Sequence, residues 1–174
     1  CIEVNSHSLA RFAAFAQEAG LVPIVEPEIL MDGDHDINRC FEVTEATLKR
    51  VYEDLYKQRV ALEGTLLKPN MVISGSGDRK RAGPEEVAEK TIRCLKRAVP
   101  SAVPGVVFLS GGQSDDEATL NLNALNCRNS DIYVELSFSY GRGLQATPLK
   151  IWGGDPSNVT DAQKAFLHRV KVTG

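Results

Sequence analysis

The chain contains no run that approaches the roughly 18 apolar residues of a membrane-spanning helix. Its opening, CIEVNSHSLA, lacks the basic-then-apolar order of a signal peptide. There is no Cys-x-x-Cys pair: Cys1, Cys40, Cys94 and Cys127 lie far apart. That excludes the usual zinc-ligand spacings and suits reduced thiols better than a disulfide framework. No long block of one charge sign occurs either, and 20 basic against 23 acidic side chains leave a net charge of -3. Nothing therefore marks the chain for nucleic acid or an anionic membrane, and any positive charge that meets an anionic ligand must be local. Repeats, low-complexity stretches and compositional breaks are also missing, so no linker is expected. A cytoplasmic protein is the expectation that remains.

What is present is the composition of a globular protein: 174 residues, 43% hydrophobic and 25% charged, enough for one core and one domain over residues 1–174. Leu9, Phe12, Ala13 and Ala16 recur at helical spacing after the candidate caps Asn5 and Ser6, and Gly20 is placed to end that helix. Leu21 to Leu30 is short and apolar, which predicts a buried strand whose Pro23 and Pro27 put it near an element end or bulge. Leu48, Val51, Tyr52, Leu55 and Tyr56 then mark a long helix. Leu62 to Ile73, LEGTLLKPNMVI, predicts a second strand, and Pro84 before Glu85 and Glu86 opens a helix with Ala88, Ile92, Leu95 and Val99 on its buried side. Gly105 to Leu109 is a third strand, followed by a capping box of Ser114 and Glu117. Ile132 to Tyr140 is a fourth strand, and Thr160 with Gln163 predicts the cap of a last helix. Helix and strand alternate throughout, which implies an α/β fold with parallel strands joined by right-handed crossovers.

Chemistry collects late in each strand. Lys68 is a lone ammonium group in an otherwise apolar run. An amine that loses hydration there must find a partner or shed its proton, and the neutral amine attacks carbonyls. A lysine at a strand end can equally snorkel to water, so its neighbours decide. Glu26 and Glu28, at spacing two, share one face of an extended chain. A carboxylate near such a lysine can donate and accept the protons that iminium formation moves, a task that fits Glu26; Glu28 fits simple neutralisation of basic groups. Ser110, Gly111 and Gly112 precede a helix start, where backbone N–H groups and the helix dipole favour an anion, and Arg142 between two glycines can hold phosphate oxygens bidentately. In α/β folds this strand-end edge is where ligands bind. The loop Met31 to Asp36 carries Asp32, Asp34, His35 and Asp36, but its spacing does not match a calcium loop, and no metal is expected.

Four stretches, VPIVEPEILMDGDHDI, LEGTLLKPNMV, VPGVVFLSGGQSDDEATLNLNALN and SFSYGRGLQ, closely resemble class I fructose-bisphosphate aldolase, in order and across nearly the whole chain. The resemblance implies a TIM (β/α)8 barrel, of which the four predicted βα units are the second half. It implies that Lys68 is the Schiff-base lysine, Glu26 its acid/base partner and Glu28 the carboxylate that orders charges beside them. Ser110, Gly111, Gly112 and Arg142, with Ser139 and Gly141 close by, match the site for the phosphate at the ketose C1 end. The implied reaction is the reversible, metal-free and cofactor-free splitting of fructose 1,6-bisphosphate into dihydroxyacetone phosphate and glyceraldehyde 3-phosphate in glycolysis and gluconeogenesis. Sugar phosphates are the implied ligands, and a homotetramer the implied assembly.

A TIM barrel takes about 250 residues, so the chain departs from the family in length. The family's first half supplies an aspartate for the carbon–carbon cleavage, further basic residues and the second phosphate site. Its mobile tail supplies a tyrosine for proton exchange. Half a barrel leaves strand edges and an inner face bare, so a fragment of an aldolase, completed by the missing half, is the expectation. Two other readings compete: a lysine-dependent aldolase of the transaldolase-like kind, against which the paired glutamates and Gly-Arg-Gly argue, and a non-catalytic phosphate-binding scaffold.

Overall fold

Four parallel strands run in the order β1-β2-β3-β4: β1 (Ile24–Val25), β2 (Leu66–Leu67), β3 (Gly105–Phe108) and β4 (Glu135–Phe138). This computed structural model describes residues 1–128 and 132–174. Helices α2 (Ile37–Lys57), α3 (Pro84–Ala98) and α4 (Asp115–Asn126) carry the chain from each strand to the next. Helix α1 (Ile2–Glu18) packs on α2, while α5 (Arg142–Trp152) and α6 (Val159–Thr173) pack on each other after β4. Among the described residues no helix is long and apolar enough to cross a membrane.

The core lies between the sheet and its crossover helices. Val25, Leu67, Val106, Phe108 and Leu136 point into it, opposite buried residues of the helices such as Leu48, Val51, Leu55, Ile92, Leu95 and Leu125. Fully burying a side chain such as Phe108 or Val106 contributes roughly 1.5–3 kcal/mol. Cys40 and Cys94 are free and buried in this layer. Burial pushes both thiols up, Cys94 to about 12, which makes them packing residues rather than nucleophiles.

Several sequence expectations change here. Asn5 and Ser6 lie within α1, which starts at Ile2, and Phe12 is exposed. Tyr56 projects into solvent at the end of α2. The expected strand over Leu21 to Leu30 is only Ile24–Val25, and it is an edge strand with one bare face, on which Val22 is 67% exposed. The second strand stops at Leu67, because Pro69 has no N–H for the ladder. Met71, Val72 and Ile73 beyond it are buried without strand pairing. Asn70 donates to the Thr44 hydroxyl and the Met71 carbonyl, and Val72 N–H donates to the Thr91 hydroxyl. Helix α5 was not foreseen, since Gly143 and the interior Pro148 hide its pattern. Thr160 and Gln163 lie inside α6, whose N-cap is Asn158.

The capping box of Ser114 and Glu117 is present: Glu117 N–H donates to the Ser114 hydroxyl, and the Glu117 carboxylate accepts from Ser114 N–H. Asp36 caps α2 by accepting from Arg39 N–H at 2.8 Å. The loops after β1 and β2 are zipped together, with Gly75, Ser76 and Gly77 N–H donating to the carbonyls of His35, Met31 and Gly33. A methyl group built on Gly75 would lie 2.5 Å from the Gly33 carbonyl oxygen, so glycine is required at this approach.

Candidate active site

Backbone pairing carries the sheet one residue past each strand and so fixes what stands at its C-terminal edge. Lys68 N–H donates to the Val25 carbonyl at 2.8 Å, which sets Lys68 beside Glu26. Leu109 N–H donates to Pro69 at 3.1 Å, and Ser139 N–H to Phe108 at 2.9 Å. The Lys68 Nζ lies 3.1 Å from Glu26 Oε2, with the lysine side chain 21% exposed and the glutamate 49%. The amine is thus neither snorkelling freely nor sealed off, and its partner is the carboxylate on the neighbouring strand end.

Glu28 lies across from the Ser110 turn: a methyl group on Gly111 would meet its Oε1 at 2.6 Å. Its backbone approach is set by Asn70, whose Oδ1 accepts from Ile29 N–H at 3.0 Å. Asn70 is 2% exposed and was missed by sequence reasoning. The available signal was an amide inside LLKPNMV, because a buried Asn must spend its hydrogen bonds on nearby backbone.

Ser110 to Gln113 is a tight turn closed by Gln113 N–H to the Ser110 carbonyl at 3.2 Å. Gly112 occupies its third position with φ +77°, as a type II turn requires, and its Cα packs on Met31. Helix α4 starts directly behind, with Asp115, Asp116 and Glu117 in its first turn. Arg142 is the first residue of α5, and Gly141 is its N-cap.

One cavity of about 250 Å³ gathers these groups. Glu26, Glu28 and Lys68 line it from β1 and β2, with Leu109, Ser110 and Gly111 from the end of β3, and Ser139, Gly141 and Arg142 from the end of β4. Gly112 stands behind the lining and turns the chain. A larger cavity of about 640 Å³ beside α1 and α2 shares Glu26 and Glu28 but has no basic side chain in its lining. The smaller one is the candidate site, since of these two it sets an amine, two carboxylates and a guanidinium around one space. Such a set can bind an anionic group at the Ser110–Arg142 end, present a carbonyl to the Lys68 amine, and move protons through Glu26.

Asp32, Asp34 and His35 are not drawn into this cavity, and among the described residues no group of three or more His, Cys, Asp or Glu could hold a metal ion.

Comparison with known proteins places the chain. Residues 1–174 match the family described as "Fructose-bisphosphate aldolase class-I". A probable fructose-bisphosphate aldolase class 1 of Xanthomonas campestris is 54% identical over all of this chain and 52% of its own length. The cytosolic fructose-bisphosphate aldolase 4 of Arabidopsis thaliana is 57% identical over 98% of this chain and 44% of its own length. A solved structure of the Plasmodium falciparum fructose-bisphosphate aldolase, in complex with TRAP and a small-molecule inhibitor, superposes with a TM-score of 0.95. It is 46% identical and covers 99% of this chain and 49% of that one. The chain thus spans about half the length of the curated relatives it matches.

Proposed function

We propose, from the premise that this chain belongs to the class I fructose-bisphosphate aldolase family, that residues 1–174 are a single partial domain carrying the Schiff-base half of an aldolase barrel. The observation that carries this reading is the Lys68–Glu26 pair at 3.1 Å in one cavity with Ser110 and Arg142.

In the proposed reaction the neutral Lys68 amine attacks the C2 carbonyl of fructose 1,6-bisphosphate, and the carbinolamine oxygen leaves as water after taking a proton from Glu26. The iminium then accepts the electron pair of the breaking C3–C4 bond. Glyceraldehyde 3-phosphate departs, and the enamine of dihydroxyacetone phosphate remains on Lys68. Protonation and hydrolysis release the second product. Glu28 orders the charges between Lys68 and the turn. Ser110, Gly111 and Arg142 hold the C1 phosphate, with Ser139 and Gly141 on the same wall and Gly112 shaping the turn. The group that takes the C4 hydroxyl proton and the second phosphate site belong to the missing half of the barrel.

No metal or other cofactor takes part in this scheme. The proposed whole is a cytoplasmic homotetramer, in keeping with a family whose relatives include proteins named as cytosolic. The full-length protein is predicted to cleave fructose 1,6-bisphosphate at the same rate with and without EDTA. An absent rate, or one that EDTA abolishes, contradicts the reading. A second reading, a phosphate-binding scaffold without cleavage, draws on the half-length match alone and is separated by trapping at Lys68.

A further inference from the structure

Two arginines that line no part of the cavity converge on the elements around it. Arg169 of α6 is 7% exposed. Its Nε donates to the Gly143 carbonyl at 3.0 Å, one residue past Arg142, and its Nη2 to the Asp115 carbonyl at 3.1 Å, at the first residue of α4. The same Nη2 lies 3.3 Å from the Thr119 hydroxyl, and Nη1 lies 3.4 Å from the solvent-exposed Asp116 carboxylate. Arg81, in the loop after β2, donates from Nη2 to the Gly112 carbonyl at 3.1 Å and pairs with Glu117 at 2.9 Å.

A buried guanidinium is a poor source of net stability, because desolvation offsets much of what its bonds return. Apolar side chains would pack α6 onto α4 and α5 at lower cost. What an arginine adds is geometry: a rigid planar fork whose donors reach two backbone carbonyls on different elements at once. One of those elements begins with Arg142, and the other follows the Ser110–Gly112 turn. Arg81 acts on the turn itself. With the Gly112 carbonyl held, the planar Gly112–Gln113 peptide is fixed too, and the Glu117 side chain, which pairs with Arg81 and accepts from Ser114 N–H one peptide further on, ties the turn to the capping box of α4.

We propose that Arg169 and Arg81 are positioning residues that set the spacing between Arg142 and the Ser110–Gly112 turn, and hence the fit of the cavity to a phosphate dianion. The inference rests on the phosphate reading given above, and goes beyond it by assigning two residues outside the cavity lining. On this account α6, which contributes no residue to the lining of this cavity, serves the site through one side chain.

The test uses inorganic phosphate as probe, titrated into the chain and into Arg81→Gln and Arg169→Lys, with the amide resonances of Ser110, Gly111 and Gly112 as readout. Loss of one well-placed hydrogen bond predicts a roughly three- to tenfold weaker phosphate affinity for Arg81→Gln. A larger loss is expected for Arg169→Lys, whose ammonium cannot span both carbonyls. Borohydride trapping supplies a readout that mere unfolding cannot mimic: adduct yield falls with dihydroxyacetone phosphate but holds with phosphate-free dihydroxyacetone. If Arg169→Lys fails to fold, as thermal melting would reveal, the partly exposed Arg81→Gln decides alone. Folded variants that bind phosphate as the parent does, or that lose both adducts equally, overturn the inference. A parent chain that binds no phosphate overturns the phosphate reading, and this inference with it.

Discussion

Lys68 and Glu26 are coupled by the sheet itself, since the Lys68 N–H to Val25 hydrogen bond brings the two side chains out side by side. If Glu26 moves the protons of imine formation, Glu26→Gln should retain phosphate binding while imine formation slows by roughly 10²–10⁴-fold. Stopped-flow measurement of adduct formation with dihydroxyacetone phosphate checks this, and an unchanged rate would remove Glu26 from the proposed scheme. At this scale the sequence was informative wherever a residue broke its local pattern. Lys68 was the single lysine in LEGTLLKPNMVI, and Glu26 and Glu28 were the charges in VPIVEPEIL. Arg81 and Arg169 broke nothing. An arginine in DRKRAG or on the helix FLHRVKV reads as a solvated surface group until tertiary contacts with Gly112 and Gly143 appear.

Helix starts are the elements that shape the phosphate end of the cavity. Ser114→Ala removes the side-chain acceptor for Glu117 N–H and should cost about 1 kcal/mol, read as a lower urea midpoint without a change in m-value. Asp36 at the start of α2 gives a pH signature. Hydrogen bonds from the Arg39 backbone N–H and then the Asn38 side chain hold its carboxyl below the ordinary 3.8. A carboxyl depressed in the folded state stabilises the fold above its unfolded value and loses that contribution as pH falls through the lower folded value. Stability measured against Asp36→Asn, which caps without titrating, should therefore favour the parent at neutral pH. The difference should shrink once pH drops below 3.8; a constant difference would show that the charge is not what matters. The capping box was legible because Ser114-x-x-Glu117 is a local signal. Helix α5 was not, because Gly143 and Pro148 are poor helix residues that tertiary packing against α6 overrides. Strand lengths were overestimated for the opposite reason: apolar runs such as Met71 to Ile73 are buried by loop packing rather than by pairing.

At the scale of the molecule, the described residues form a four-stranded open sheet with helices on one face and a largely bare opposite face. Its βα rhythm was readable from hydrophobic periodicity, whereas the bare face was foreseeable only from chain length against the size of a closed barrel. Ile24 and Val22 on that face, and the outer edge of β1, are exposed, and unpaired edges with apolar neighbours favour association. Light scattering after size exclusion should show self-association that rises with concentration and falls for Val22→Lys; a concentration-independent monomer would mean that the bare face is inert. In the proposed scheme this half-length chain carries the Schiff-base lysine and its carboxylate partner. Borohydride reduction in the presence of dihydroxyacetone phosphate, followed by peptide mapping, tests it most directly. One reduced adduct, on Lys68, is expected, and none in Lys68→Arg. An adduct on another lysine, or none while the chain still binds phosphate, would contradict it.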